Sequence, residues 1–318
     1  MTGSRISRRA AMLSGAAALA VPFAPARAKP AYDIAPHEVA AGVWMIEGAP
    51  ESFTRENGGA MVNVTLVETR DGAIVIDTGS TATMGAVIRA FADERLGGVA
   101  LAINTHHHPD HWFGNMAFAD RPVAALPATI SASAVNAQAY SESLYAILGS
   151  WMSGTVTTPA TQELAGGVLE IGERSLSLLP LVGHTAADLA LIDAQTGTLI
   201  AGDLLFLDRA PSLPDAEVSG WLGAIDTLAT LDVSGTIPGH GRYHRSSAAL
   251  FQTKTYLQTL HARLTLAAEL GLSPMEAMEA GPVPEFARLG ANPDEYRRTV
   301  AQRWRDFEIE ALPVIGGT

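Results

Sequence analysis

The 318-residue chain contains no cysteine. Disulfides are therefore excluded, and an oxidising compartment poses no redox problem for it. Any metal it binds must be held by histidine and carboxylate. Basic residues are also scarce: 21 Lys and Arg stand against 33 Asp and Glu, a net charge of −12. Phosphate binding needs clustered Lys and Arg, so this balance argues against a nucleic-acid partner. The negative charge keeps a soluble protein soluble. No internal repeat is present, and no low-complexity segment lies beyond the first 28 residues. Length and 47% hydrophobic content suit one large domain with room for an appendage.

Residues 1–28, "MTGSRISRRAAMLSGAAALAVPFAPARA", read as an export leader rather than as part of the fold. A basic start, a mild Ala/Gly-rich run and Ala26-Arg27-Ala28 are the three parts of a signal peptide. Ser7-Arg8-Arg9 ahead of the run is the twin-arginine form of that signal. The run is too short and too mild to span a bilayer, so no membrane association of the mature form is expected. Removing the leader takes away Arg5, Arg8, Arg9 and Arg27 and no acid, which moves the net charge from −12 to −16. The expected location is the periplasm. The expected organisation is a leader at 1–28, a catalytic domain at 29–245 and C-terminal helices at 246–318 packed on that domain.

Along the mature chain, "VWMIEG" (43–48), "MVNVTLVET" (61–69), "AIVIDTG" (73–79) and "VALAINT" (99–105) have the β-branched, apolar character of strands. A polar loop at 49–60 is long enough to overhang a site. Residues 80–97 and 128–153 read as helices. Two hairpins follow, with turns at Gly172-Glu173 and Thr196-Gly197. An amphipathic helix at 218–231, a last short strand at 235–241 and helices from 246 onward complete the pattern. Two successive blocks of strands and helices predict an α/β layered sandwich with a helical C-terminal extension.

The chemistry concentrates in "NTHHHPDHWFGN" (104–115). His106 and His108 are two apart on an extended segment leaving a strand, so they point to one side and His107 points away. Asp110 and His111 follow on the next bend and face a neighbouring position. Three more candidate ligands stand singly at strand ends: His184 in "GHT", Asp203 in "GD" and His240 in "PGHG". Five histidines and two aspartates suit two ions bridged by a carboxylate. Taken alone, His184 or His240 would be read as a turn residue. The H-x-H-x-D-H cluster and the chain order of the others change that.

The ordered set "THHHPDH", "GHT", "GD" and "PGHG", with "VIDTG" upstream, resembles the metallo-β-lactamase superfamily of hydrolases from about Val43 to Gly241. The resemblance implies a four-layer αβ/βα sandwich with the site at one edge. It implies that His106, His108 and His184 bind a first zinc, that Asp110, His111 and His240 bind a second, and that Asp203 bridges them. Position 203 is Asp, where a large class of true β-lactamases places Cys; position 108 is His rather than the Glu of diiron flavoprotein relatives. The leader, the histidine cluster and "LLFLDRAPSLPDAEVSGWLGAIDTL" are similar to periplasmic zinc metallohydrolases associated with quinoprotein dehydrogenase systems, relatives of the SoxH proteins. This implies such a system as a partner alongside a small-molecule substrate.

The expected reaction is hydrolysis of an ester, thioester or related carbonyl by a hydroxide bridging two zinc ions about 3.5–4 Å apart. Asp110 would orient that nucleophile and move a proton. Asp77 and Asp188 are expected to hold ligand imidazoles or their loop from behind. Arg209, Trp112, Phe113 and the 49–60 loop are candidates for substrate contact. His37, His107, His244 and His261 are set aside as structural or solvated. Alternatives on the same residues are a β-lactamase or lactonase, a mononuclear iron persulfide dioxygenase, and a non-catalytic metal-bearing accessory protein.

Overall fold

In a computed structural model, which describes residues 31–311, the two strand blocks form two sheets. The expected leader lies outside the described residues. The first block runs β1 (His37–Ala40), β2 (Val43–Ile46), β3 (Val64–Val67), β4 (Ala73–Ile76), helix α1 (Ala82–Arg95), β5 (Val99–Ile103), the one-turn helix α2 (Pro109–Trp112), β6 (Val123–Ala125), helix α3 (Pro127–Leu148) and β7 (Gln162–Glu163). These seven strands pair in sequence order, antiparallel as far as β4 and parallel beyond it. The second block runs β8 (Gly167–Ile171), β9 (Arg174–Leu181), β10 (Asp188–Asp193), β11 (Thr198–Ile200), helix α4 (Val218–Ala229) and β12 (Gly235–Ile237). Its sheet has the order β12-β11-β10-β9-β8, with β11 and β12 parallel. Helices α5 (Ala248–Glu269), α6 (Pro274–Glu279) and α7 (Asp294–Ala311) follow.

Strand periodicity explains the layers. In β4, Ile74 and Ile76 pack between the sheets, against Leu176, Leu189 and Leu191 of the second sheet. Their neighbours Ala73 and Val75 face the other way, onto Met84, Ile88 and Ala92 of α1. The second sheet repeats the pattern: Ala190 and Leu199 join Trp221 and Leu228 of α4 and Leu257, Leu260 and Leu264 of α5. The expected helix–sheet–sheet–helix sandwich is thus formed. Trp304 and Phe307 of α7 belong to the same cluster, so the C-terminal helices cover the second sheet.

Most elements are shorter than the sequence reading, and two of the differences have an identifiable cause. The strand expected over 61–69 narrows to β3, because Asn63 is turned to a distant loop. Its side-chain amide donates to Pro238 O at 2.8 Å and Gly241 O at 2.6 Å. The helix expected over 128–153 stops at Leu148, where Gly149 takes φ +61°, and continues as a 3-10 turn to Met152.

Candidate metal centre

Strand ends of both sheets deliver the candidate ligands to one edge of the sandwich. His106 and His108 lie just past β5, and Pro109 opens α2, where its missing N–H costs nothing. That single turn carries Asp110 and His111. His184 follows β9, Asp203 sits in a 3-10 turn after β11, and His240 follows β12. The close approach of these last two turns demands glycine. A Cβ at Gly239 would lie 2.0 Å from Asp203 Oδ1, and one at Gly241, where φ is +97°, would lie 1.8 Å from Leu207 O.

All seven expected ligands are buried and converge. They form two groups with ligand atoms within 4.8 Å of one another: His106, His108, His184 and Asp203, and then Asp110, His111 and His240. Asp203 stands between the groups. Its Oδ2 lies 3.2 Å from His184 Nε2 and 3.9 Å from His106 Nε2. Its Oδ1 lies 3.2 Å from His111 Nε2 and 3.3 Å from His240 Nε2. Asp110 Oδ2 is 3.5 Å from His111 Nε2 and 3.3 Å from His240 Nε2.

Four of the five ring nitrogens turned away from the centre have their own partners, and His184 Nδ1 has none among the described residues. His111 Nδ1 is 2.7 Å from Asp77 Oδ2, and His240 Nδ1 is 2.7 Å from Met61 O. His106 Nδ1 is 3.1 Å from Thr105 Oγ1. Asp77 also accepts from Thr105 N–H at 2.8 Å and Thr105 Oγ1–H at 2.9 Å. Asp188 instead holds the loop after His184, accepting from Thr185 N–H at 3.0 Å and Thr185 Oγ1–H at 2.8 Å. His108 differs: Nδ1 lies 2.8 Å from His184 Nε2, and Nε2 lies 2.8 Å from Asp215 Oδ2.

The electrostatics follow from burial and from the mutual charges of the cluster. Burial, aided by the neighbouring His111 charge, pushes His106 well below the usual imidazole range, and burial pushes His184 down to about 4. Burial also disfavours charge on His111, but Asp77, Asp203 and Asp110 outweigh it and hold His111 well above that range. His240 is raised against its burial by Asp203 and Asp110. Asp203 and Asp110 are both lowered, since the neighbouring imidazoles outweigh the burial that would raise them. Buried carboxylates require positive charge beside them, which the imidazoles supply here and a divalent ion would supply in their place. His106 Nε2, His111 Nε2 and Asp203 Oδ1 are buried atoms without a hydrogen-bond partner, all aimed at the centre. An all-His/Asp donor set with such orphaned atoms fits a divalent metal.

A cavity of about 420 Å³ opens onto His108, Asp110, Asp203 and His240. Phe53 of the 49–60 loop and Tyr140, Leu144 and Ile147 of α3 line it, as do Arg298 and Gln302 of α7. Trp112 and Phe113, expected as substrate contacts, are not there. The α2 turn points them into a core with Leu144, Leu148 and Met152. Arg209 lines the cavity but is only 1% exposed, with its guanidinium 3.3 Å from the buried carboxylate of Glu295. The sequence offered no local sign of Asp215, Tyr140, Arg298 or Gln302, which reach the site from loops and helices far along the chain. His107 belongs to neither of the two groups; its Nε2 is 3.4 Å from Asp215 Oδ2, and His107, His108 and Asp215 form a third cluster of potential ligands.

Comparison with known proteins agrees with this geometry. Residues 57–240 match the family described as the metallo-beta-lactamase superfamily. A hydroxyacylglutathione hydrolase from Synechococcus sp. (strain JA-2-3B'a(2-13)) is 28% identical over 159 residues, covering 48% of this chain and 55% of that protein. The chain therefore spans little more than half the length of that relative. Among solved structures, the metallo-beta-lactamase from Pontibacter korlensis superposes with a TM-score of 0.56 at 22% identity, covering 71% of this chain and 99% of its own. The metallo-beta-lactamase FIM-1 from Pseudomonas aeruginosa, in its mono-zinc form, gives 0.59 at 20%, covering 73% and 98%. At these identities the likeness establishes the fold.

Proposed function

The chain belongs to the metallo-β-lactamase superfamily, and on that premise we propose that it is a dinuclear zinc hydrolase of ester, thioester or related carbonyl substrates. One observation carries the proposal: the two oxygens of Asp203 face two separate ligand groups, as a carboxylate shared by two ions would. Zinc, when bound, supplies a water of lowered pKa and polarises a carbonyl oxygen. The protein's part is positional. His106, His108 and His184 would hold one ion, Asp110, His111 and His240 would hold the other, and Asp203 would be shared between them. Asp110 also lines the cavity, where its carboxylate would orient an attacking water and take its proton. The name of the curated relative makes thioesters the first class to assay.

Metal analysis of the purified protein should return about two zinc per chain, and a chelator should abolish thioester hydrolysis. Asp110→Ala should lower that hydrolysis by about 10²-fold or more; full activity in this variant would defeat the proposed role. Turnover of nitrocefin in place of esters and thioesters would move the reading to a lactamase. We further propose export to the periplasm and association with a quinoprotein dehydrogenase system, on the sequence features alone. Undiminished export of a variant with Lys at positions 8 and 9 would remove the twin-arginine route.

A further inference from the structure

Five imidazoles face the centre, and four of them have the outward ring nitrogen bonded to an identified group. For His106, His111 and His240 that nitrogen is Nδ1, and the partners are Thr105, Asp77 and Met61. His184 Nδ1 has no hydrogen-bond partner among the described residues. His108 is the exception in orientation: it turns Nδ1 inward and Nε2 outward to Asp215. A neutral imidazole carries one N–H, and the nitrogen that donates it is the one that cannot bind a metal.

We propose that Asp215 is a positioning residue for the first metal site, fixing His108 as the Nε2–H tautomer so that its Nδ1 lone pair is directed inward. The inference rests on the reading of His108 as a ligand of that site. Asp215 Oδ2 accepts from His108 Nε2–H at 2.8 Å, which leaves Nδ1 bare at 2.8 Å from His184 Nε2. A shared cation suits that separation when metal is bound, and in the metal-free protein a proton on His184 Nε2, donated to His108 Nδ1, suits it as a hydrogen bond. His107 braces the same carboxylate oxygen from 3.4 Å. The brace is itself held: the Trp112 indole N–H donates to His107 O at 2.8 Å, and the Tyr140 ring stacks against the His107 imidazole with centroids 6.2 Å apart. This gives the middle histidine of "HHH" a role although it belongs to neither ligand group.

Asp215 also differs in place from the other anchors. Asp77 is 2% exposed, whereas the Asp215 side chain is 46% exposed and lies on the segment between β11 and α4 that lines the cavity with Ser212 and Pro214. The anchor of the first site is therefore on the substrate side, and whatever moves that segment moves the hold on His108.

The test uses the full chain in two states. In metal-free protein, long-range ¹H–¹⁵N spectra at a pH where His108 is neutral should show the Nε2–H tautomer in the wild type and a mixture in Asp215→Ala. Asp215→Asn, whose amide oxygen still accepts, should restore the wild-type pattern. In zinc titrations followed by native mass spectrometry with a competing chelator, Asp215→Ala should weaken one of two binding steps by about 10–100-fold and leave the other within about threefold. His107→Gln should show a smaller loss at the same step. An unchanged tautomer with wild-type zinc binding in Asp215→Ala would overturn the proposal. So would equal weakening of both steps together with a lower melting temperature of the metal-free protein, the mark of a structural role alone. A third zinc equivalent lost in His107→Gln would make His107 and Asp215 ligands and overturn it likewise. Failure of the wild type to bind zinc would defeat the hydrolase reading, while the metal-free tautomer would still decide the role of Asp215. Should Asp215→Ala not fold, Asp215→Ser carries the same two readouts.

Discussion

The two ligand groups are built from the same residue types but supported differently. Behind the second group stand buried parts of the sandwich: the Asp77 carboxylate at the end of β4 and the Met61 carbonyl beside β3. Behind the first stand the Thr105 hydroxyl, the half-exposed Asp215 and, at His184 Nδ1, no hydrogen-bond partner among the described residues. Outer hydrogen bonds fix ring orientation and ligand basicity. The second group is thus set by the folding of the core, and the first partly by a segment that also lines the cavity. The two sites should then respond separately to substitution.

Asp203 is the one residue that should erase the difference. Asp203→Ala removes the oxygens facing both groups and should lower kcat/KM by about 10³-fold or more, roughly 4 kcal/mol. Zinc content should fall at both sites together; loss of one zinc alone would show that Asp203 serves a single group. Asp77→Asn is the next largest test. The residue sits at φ +63°, a conformation that Asn tolerates better than Ala, so the change mainly removes charge and one acceptor. The zinc step belonging to Asp110, His111 and His240 should weaken by about 10–100-fold while the other holds. Equal weakening of both steps would dissolve the contrast.

The same contrast explains what was legible in the sequence. The H-x-H-x-D-H cluster is local: its spacing alone separates His106 and His108 from Asp110 and His111. His184, Asp203 and His240 were legible through their order and their strand-end glycines, and Gly239 and Gly241 are required by contacts of 2.0 and 1.8 Å. Asp77 precedes the Gly of "IDTG" and announces itself as a strand-end carboxylate. Asp215 reaches His108 across 107 residues from a loop with no periodicity, and no local pattern encodes that contact. Arg209 was legible as a cation near the site but not as the partner of Glu295, 86 residues away, which leaves it buried. Trp112 and Phe113 misled for the opposite reason. They are adjacent to ligands in sequence, but one helical turn rotates them into the α3 core.

A smaller effect is expected where the two supports meet. The Thr105 hydroxyl donates to Asp77 Oδ2 at 2.9 Å and lies 3.1 Å from His106 Nδ1 and 3.3 Å from His111 Nδ1. Thr105→Val keeps the shape and deletes one hydrogen-bonding group, worth about 1 kcal/mol, or roughly fivefold. Both zinc steps should weaken by that modest factor. A change confined to one step would assign the hydroxyl to that group and leave the two supports independent.

The smallest expected effect falls on neither group but on the cavity they share. Helix α7 lies beyond the 57–240 segment matched by the family, yet it brings Arg298 and Gln302 to the cavity. Arg298 Nη1 is 3.3 Å from Glu295 Oε1, and Arg209 Nη2 is 3.3 Å from the same oxygen. Two guanidinium groups on one carboxylate leave net positive charge. Arg209 is buried, so the accessible share belongs to Arg298, whose side chain is 37% exposed. An exposed charge of this kind is worth about 0.2–1 kcal/mol, up to roughly fivefold in binding. Arg298→Gln should therefore raise KM about threefold for a carboxylate-bearing thioester and leave kcat and zinc content unchanged. Raising ionic strength toward 1 M should shrink the difference between variant and wild type, because screening acts on exposed charges first. If KM does not move, α7 closes the cavity by shape alone; if kcat moves with it, the helix acts on the metal-facing residues, and the separation of cavity wall from ligand support fails.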